Sequence, residues 1–275
     1  MKTVLILGIT SDIGRELAAR FERDHWRVVG TYRGTSQRGL TGLRNRTLIA
    51  CDLSSAASVD RAAKSCRRRK LVWDLLVVAA GTEEPIGAFV ECDADEWEKG
   101  ISVNALAPLR FLRGVYGLRR RRKHSYVAMF SGSGTNSAVP AYSAYCSSKI
   151  LLIKMAELLD AEAPETAFFV IGPGIVRTKI HLQTLASPVK SGRNYRKVVD
   201  FLSSGDQGTS HDDIYSCILW CMAAGKAAVG GRNIALAHDD WRDRSSSIAS
   251  ALKSDGDLYR LRRHGNNRKF VKNPK

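Results

Sequence analysis

Short apolar runs alternate with amphipathic segments along most of the chain, and this alternation constrains the fold more than any other feature. The runs TVLILGI, TLIACDL, DLLVVAAG and TAFFVIGPG are dominated by apolar residues. Strands of this kind are buried on both faces, and they belong to parallel sheets whose crossover helices cover both sides. The sequence therefore predicts an α/β fold with a doubly wound, mostly parallel sheet and helices on both faces.

The 275 residues contain no internal repeat and no interdomain linker, so we expect one domain over residues 1–252. Residues 179–212 are polar and turn-rich with a helical middle, as expected of a lid inserted over a site. Residues 253–275 form a basic, polar tail.

The chain is strongly basic, with 43 Lys and Arg against 27 Asp and Glu and a net charge of +16. The positive charge is concentrated in residues 67–70, 119–123 and 260–275. Such a field attracts polyanions and anionic substrates. Because the clusters lack interleaved aromatic residues that stack on bases, we favour a solvated basic surface over a nucleic-acid partner.

The composition indicates a soluble cytoplasmic protein. The first apolar run leads directly into a helical segment, which indicates a buried strand and not a signal peptide. No apolar run approaches the roughly 20 residues needed to cross a bilayer, so no membrane partner is expected. The cysteines lack metal-binding spacing and fit reduced thiols, so we expect no bound metal. They are Cys51, Cys66, Cys92, Cys146, Cys217 and Cys221.

The first strand leads into Gly8-Ile-Thr-Ser-Asp-Ile-Gly14 and then into a helix. Glycine allows a tight turn and a close approach to a pyrophosphate, and a helix N-terminus offers free N–H groups to it. At the end of the second strand the chain has Arg33, which either suits a ribose 2′-phosphate, favouring NADP, or is a surface charge. Asp52 after the third strand either accepts from adenine or caps a turn.

Tyr145 and Lys149 lie four residues apart in a stretch that is predicted to be helical, so their side chains share one face. A phenol has an ordinary pKa of about 10, and a neighbouring ammonium favours the phenolate. The pair therefore predicts proton transfer to or from an oxygen, although the same spacing also occurs on solvated helix faces.

These motifs, taken in order, resemble the short-chain dehydrogenase/reductase family. The resemblance covers roughly residues 3 to 178 and includes the Gly8–Gly14 turn, Ala79-Ala80-Gly81, Ser131-Gly-Ser133 and Tyr145-x-x-x-Lys149. It continues with Asn104 and with the segment Pro173 to Thr178.

The resemblance implies a catalytic role for four residues. Tyr145 would protonate a carbonyl oxygen, or act as the base in the reverse direction. Lys149 would lower the pKa of Tyr145 and hold the nicotinamide ribose. Ser131 would hydrogen-bond the substrate oxygen, and Asn104 would anchor a water that links Lys149 to solvent.

The resemblance also implies NADP(H) as the cofactor, with NAD(H) as the alternative, and a homodimer or homotetramer formed through the helices of Asn104 and Tyr145. The expected cofactor contacts are Gly8, Thr10, Ser11, Asp12, Ile13, Gly14, Arg33, Asp52, Leu53, Ala80, Gly81, Tyr145, Lys149, Pro173, Gly174, Ile175, Val176 and Thr178.

The chain departs from the family pattern at three places. Asp12 stands where the phosphate turn usually has its second glycine, and it either adds an acid there or caps the helix. Val78-Ala79-Ala80-Gly81 replaces Asn-Asn-Ala-Gly, so the asparagine contacts of that loop are lost. Ser131 lies fourteen residues before Tyr145 and Ser133 twelve, with Ser131 preferred because Gly134 follows it at the family's interval.

The leading hypothesis is an NADP-dependent oxidoreductase that transfers a hydride between nicotinamide and a carbonyl or secondary alcohol. Cationic residues of the lid favour an anionic substrate, of the sugar-nucleotide or acyl-thioester type. These residues are Lys179, His181, Lys190, Arg193 and Arg196. The alternative is a dinucleotide-binding module or redox sensor that is catalytically weak or inactive and has a basic nucleic-acid-binding surface.

Overall fold

The computed structural model describes residues 1–34, 46–121 and 124–263. Its strands are β1 (Thr3–Leu7), β2 (Arg27–Tyr32), β3 (Arg46–Ala50), β4 (Leu75–Val78), β5 (Ser125–Phe130), β6 (Thr166–Gly172) and β7 (Asn233–Ala235). Its α-helices are α1 (Asp12–Arg23), α2 (Ala56–Arg68), α3 (Ala94–Ile101), α4 (Ala107–Val115), α5 (Ser143–Glu162), α6 (His181–Leu185), α7 (Arg193–Ser203), α8 (His211–Ala224), α9 (Lys226–Val229) and α10 (Ser245–Ser254).

The described strands form one sheet in the order β3-β2-β1-β4-β5-β6-β7, and every neighbouring pair is parallel. The strand order reverses between β1 and β4, because the chain first builds outward to β3 and then crosses to the other side of β1. In open α/β sheets this reversal leaves a crevice at the carboxyl ends of the strands. The doubly wound parallel sheet predicted from the apolar runs is confirmed.

Every residue of β1 and of β4 is buried, as expected for strands covered on both faces. Because side chains alternate along a strand, Val4 and Ile6 join one apolar core while Leu5 and Leu7 join the other. The first core lies under α1, α8 and α10, and the second lies under α2, α4 and α5.

The helical segment around Asn104 is interrupted. A π-helical turn, Ser102–Leu106, lies between α3 and α4, and the N–H of Ala107 donates to the carbonyl of Ser102. Pro108 stands four residues after Asn104 and has no N–H, so the Asn104 carbonyl cannot make the usual α-helical hydrogen bond. Such π turns occur often at functional sites, and this one buries the Asn104 side chain completely.

The predicted lid contains α6 and α7. The guanidinium of Arg177, just before the lid, donates to the carbonyls of Leu202 at 3.0 Å and Asp206 at 3.3 Å, which fastens the end of α7. The domain limits, and the description of residues 179–212 as a lid, stay predictions.

The first part of the basic tail is attached to the rest of the fold. Arg232 is buried and donates to the carbonyls of Leu252, Asp255 and Leu258, and Arg262 pairs with Glu157 of α5. The remainder of the tail, residues 264–275, lies outside the described residues. Among the described helices, none combines the length and the apolar composition needed to span a bilayer.

Candidate active site

An open cleft of about 1100 Å³ runs along the carboxyl edge of the sheet, at the predicted crevice. Of the predicted site residues, it is lined by Ser11, Asp12, Ile13, Arg33, Ala80, Gly81, Ser131, Tyr145, Lys149, Pro173, Gly174, Ile175, Val176 and Thr178. Residues that do not line it are Gly8, Thr10, Gly14, Asp52, Leu53 and Asn104.

The predicted phosphate turn between β1 and α1 depends on its first glycine. Gly8 has a φ of 89°, and a Cβ there would lie 2.6 Å from the Cβ of Ala80, so this position requires glycine. The Oγ of Ser11 accepts the N–H of Gly14 at 3.0 Å and caps α1. The N-terminus of α1 therefore lies at the cleft, where its remaining N–H groups attract an anion.

Asp12 does not cap the helix; it is the first residue of α1. Its Oδ2 accepts the backbone N–H of Lys179 at 2.6 Å, and its Oδ1 accepts from Arg15 at 2.9 Å. Lys179 in turn donates from Nζ to the carbonyl of Thr10 at 2.8 Å. These bonds join the phosphate turn to the segment after β6, and they offset the charge of Asp12.

Of the residues predicted to hold the adenosine half, only Arg33 lines the cleft. The Asp52 carboxylate accepts the backbone N–H of Ser54 at 2.9 Å and its hydroxyl at 2.8 Å, so it fixes the turn after β3. These bonds, the backbone one above all, lower the pKa of Asp52, and Arg33 contributes a smaller part. Leu53 is buried in the core against α2 and α4.

Tyr145 lies in the first turn of α5 and directs its hydroxyl at the end of β5. A Cβ on Gly132 would lie 2.4 Å from the Tyr145 Oη and 2.7 Å from its Cζ. Because real Cβ contacts are not that short, only glycine at position 132 leaves room for the phenol. The motif search missed Gly132, although it stands between the two candidate serines.

Both candidate serines, which flank Gly132 in the sequence, line the cleft. Ser131 is buried, and its Oγ lies 3.4 Å from the carbonyl oxygen of Ile171, so this side chain faces β6. Ser133 is exposed. The choice of Ser131 over Ser133 stays a prediction.

Lys149 lies one helical turn after Tyr145 and is only 6% exposed. Its Nζ is 5.5 Å from the centroid of the Tyr145 ring and donates to the Phe130 carbonyl at 3.2 Å. A Cβ on Gly81 would lie 3.7 Å from that Nζ and 3.4 Å from the Oδ1 of Asn104. The ends of β4 and β5 thus bring Tyr145, Lys149 and Asn104 into one cluster.

Burial determines the protonation of this cluster. It raises the pKa of Tyr145 well above its ordinary value, and the neighbouring Glu83 and Cys146 raise it further. It lowers the pKa of Lys149 to about 8. The expected lowering of the Tyr145 pKa by Lys149 is therefore not seen in the chain without cofactor. Near neutral pH the Tyr145 hydroxyl therefore keeps its proton, and Lys149 is still largely charged.

The loop after β4 is held by contacts that sequence reasoning missed. The Asn104 side chain accepts the N–H of Thr82 and donates to its carbonyl, both at 2.8 Å, which replaces the lost asparagine contacts of this loop. The next residue, Glu83, lines the cleft, and its carboxylate accepts the hydroxyl of Thr184 at 2.9 Å. The sequence did contain a signal for this contact, because Glu83 is a charged residue two positions after Gly81, just past the buried strand β4.

The cations expected to bind an anionic substrate do not converge on the cleft. Lys190, Arg193 and Arg196 do not line it. Lys179 and His181 do, but Lys179 is bound to the phosphate turn and a ring nitrogen of His181 lies 2.9 Å from the Val176 carbonyl. Lys197 of α7, which was not among the expected cations, does line the cleft, and an anionic substrate stays a prediction.

Part of the basic surface is neutralised by pairing. Arg119 contacts Glu165, and Arg120 contacts Asp74. Residues 122–123 of the same cluster lie outside the described residues. Within the described ranges, no group of three or more His, Cys, Asp or Glu residues is arranged to hold a metal ion.

Comparison with known proteins places these features in a family. A family model described as short chain dehydrogenase matches residues 2–187. A curated relative, an NADPH-dependent pterin aldehyde reductase of Arabidopsis thaliana, is 27% identical over 187 residues, which are 65% of this chain and 76% of that protein.

Two solved structures share the fold. A short chain dehydrogenase/reductase of Saccharomyces cerevisiae superposes with a TM-score of 0.76 at 19% identity, covering 88% of this chain and 99% of the other. A putative short chain dehydrogenase of Shigella flexneri in complex with NADP has a TM-score of 0.68 at 19% identity, covering 86% and 97%. The chain belongs to the short-chain dehydrogenase family and is one of its oxidoreductases.

Proposed function

We propose that the chain is an NADP(H)-dependent carbonyl reductase that uses Tyr145 as its general acid. The observation that carries this proposal is the position of the Tyr145 hydroxyl against Gly132, next to the buried Lys149 ammonium and in the cleft that begins at the Gly8 turn. A phenol that stays protonated at neutral pH suits the donation of a proton to a carbonyl oxygen.

The residues of the cleft fit a phosphorylated dinucleotide. The Gly8 turn and the N-terminus of α1 offer backbone N–H groups to a pyrophosphate, and Pro173 to Thr178 supply the opposite wall. Arg33, exposed on the cleft after β2, would pair with a ribose 2′-phosphate. The preference of the Arabidopsis relative for NADPH is in line with this cofactor. The bound nicotinamide supplies the hydride.

The remaining roles belong to the cluster around Tyr145. The Lys149 ammonium stabilises the phenolate that is left after proton transfer. Ser131, or Ser133 in its place, donates a hydrogen bond to the substrate oxygen. Asn104 fixes the loop at Thr82, and its carbonyl, which lacks an α-helical partner, accepts from a water that returns a proton toward Lys149. Because of its relative, a pterin aldehyde is the first substrate to test.

The substitution Tyr145→Phe tests this proposal. We expect kcat for the reduction of an accepted aldehyde with NADPH to fall by about 100-fold or more, since the general acid is lost. NADPH affinity, measured by fluorescence titration, should stay unchanged. Tyr126→Phe is a matched control, because the Tyr126 hydroxyl donates to the Met222 carbonyl and does not line the cleft. Unchanged turnover by Tyr145→Phe would remove Tyr145 from the mechanism.

We further propose that two copies pair through α4 and α5. Leu158 of α5 is 45% exposed, and Leu106, at the end of the π turn before α4, is 51% exposed. Leu106 lines a groove together with Leu109 of α4 and with Met155 and Leu159 of α5. The resemblance implies pairing through the same helices. A cytoplasmic location is proposed because all six cysteines carry free thiols.

A further inference from the structure

Glu83 is a carboxylate in the same cleft as the Tyr145 hydroxyl. It lies two residues beyond Gly81 at the end of β4 and lines the same cleft as Tyr145. After burial, its negative charge is the next largest cause that raises the pKa values of Tyr145 and Cys146. Because Tyr145 and Glu83 line one cleft, a substrate whose carbonyl oxygen meets Tyr145 occupies the cleft that Glu83 also lines.

The backbone around Glu83 is held by Asn104 and Gln183. Asn104 holds Thr82 by its backbone, and the Gln183 side chain on α6 accepts the N–H of Glu83 at 2.7 Å. The same Gln183 donates to the Thr82 hydroxyl at 2.9 Å. Groups held in this way are preorganised for recognition, because little rotational freedom is left to lose on binding.

The carboxylate of Glu83 is oriented by a short relay. Thr184 donates its hydroxyl proton to Oε2 at 2.9 Å, so the Tyr142 hydroxyl, 2.6 Å from the Thr184 Oγ1, must be the donor to Thr184. This relay aligns one oxygen of the carboxylate. The other oxygen makes no hydrogen bond to any part of the chain that the structure describes.

Glu83 has no cationic partner among the described residues, since no lysine, arginine or histidine forms an ion pair with it. Burial raises its pKa, and the bond from Thr184 opposes that rise. A carboxylate accepts about four hydrogen bonds, and withdrawing it from water costs free energy unless donors replace the water. The cleft therefore offers an acceptor site with unused capacity.

We propose that Glu83 selects substrates that carry an amidine- or guanidine-like pair of N–H donors on the same scaffold as the reacting carbonyl. Two N–H groups side by side match the two carboxylate oxygens, and a charged partner strengthens both bonds. This inference rests on the proposed carbonyl reduction and names its substrate class.

Three aldehydes that share one benzaldehyde ring and differ in the para substituent test the inference: para-formylbenzamidine, benzaldehyde and para-formylbenzoate. With NADPH and the unaltered chain, we expect kcat/KM to be highest for the amidine, about 10-fold or more above benzaldehyde, and lowest for the carboxylate. Glu83→Gln keeps an acceptor for Thr184 but removes the charge. It should lower kcat/KM for the amidine by about 10- to 100-fold relative to kcat/KM for benzaldehyde, so that the preference for the amidine is lost.

Glu84→Gln is the matched control, because Glu84 is the next residue, is exposed and does not line the cleft. This substitution removes the same charge and should leave the order of the three aldehydes unchanged. An amidine preference that persists in Glu83→Gln, or an equal fall for all three aldehydes, would overturn the inference.

Binding without turnover separates this inference from the proposed function. Benzamidine and benzoate are titrated calorimetrically into the full chain and into Glu83→Gln. Benzamidine that binds the full chain and is weakened about 10-fold or more by Glu83→Gln supports the role of Glu83 even if no aldehyde is reduced. Benzamidine that binds both proteins equally, or neither, contradicts that role even if aldehydes are reduced.

Discussion

At the scale of the residue, Gly132 decides where the proposed acid stands. Gly132→Ala would place a Cβ 2.4 Å from the Tyr145 Oη, so the phenol has to move. Because a displacement of about 1 Å costs on the order of 100-fold in rate, we expect kcat/KM for aldehyde reduction to fall by that factor. Initial rates with NADPH and thermal unfolding measure the effect on turnover and on stability.

Gly117→Ala is the control for this substitution, since a Cβ there would meet nothing within 4 Å. It should keep both turnover and melting temperature. If Gly132→Ala retains activity within a few-fold of the unaltered chain, the Tyr145 hydroxyl does not need the position described here.

The buried charge of Lys149 lowers the stability of the folded state by an amount that can be measured. Burial lowers its pKa from 10.5 to about 8. Below pH 8 the folded and unfolded states both hold the proton, and the buried charge costs the folded state up to about 3 kcal/mol. Between pH 8 and 10.5 the folded state has released the proton while the unfolded state keeps it, so the cost declines and then disappears.

Lys149→Met should therefore raise the melting temperature by a few degrees at pH 7 while it abolishes turnover. The gain should shrink as the pH rises from 8 to 10.5, which thermal unfolding followed by circular dichroism measures. Lys64→Met, at an exposed lysine of α2, should alter neither property. A loss of stability that is the same at every pH would show that the packing of Lys149 outweighs its charge.

At the scale of the element, those strands and helices could be predicted that depend on a local sequence pattern. The apolar runs gave the strands and the parallel sheet, and the spacing of Tyr145 and Lys149 placed them on one face of α5. The π turn at Asn104 was not predicted, although Pro108 was a local signal for a lost helical bond. Helices α6 and α10 were also missed as separate elements, since five and ten residues give little periodicity.

Contacts between distant elements account for the rest of what could not be predicted. Glu83 reaches the cleft because α6, about a hundred residues later, clamps the loop after β4 through Gln183 and Thr184. Asp12 is likewise bound by Lys179 from the segment after β6. No spacing in the sequence encodes such pairs, because they exist only after the sheet has brought the strand ends together.

At the scale of the whole molecule, the distribution of polar and apolar surface suggests how copies meet. The chain carries a net charge of +16, but Arg119 and Arg120 form ion pairs with acidic residues, so this basic cluster is partly neutralised. The exposed side chains of Leu106 and Leu158, by contrast, are not covered by other residues of the chain that the structure describes. A twofold axis across these helices would place each patch against its own copy, as in the commonest homodimers.

Leu158→Glu tests the pairing of copies, because it would set two carboxylates against an apolar partner surface across the axis. We expect light scattering to give twice the mass of the chain for the unaltered protein and the mass of one chain for the variant. Val72→Glu, at a residue that is 41% exposed between α2 and β4, is the control and should stay paired. If Leu158→Glu has the same mass as the unaltered protein, or if the latter is already a single chain, α4 and α5 do not form the interface. Turnover of the dissociated variant then shows whether the cleft works without a second copy of the chain.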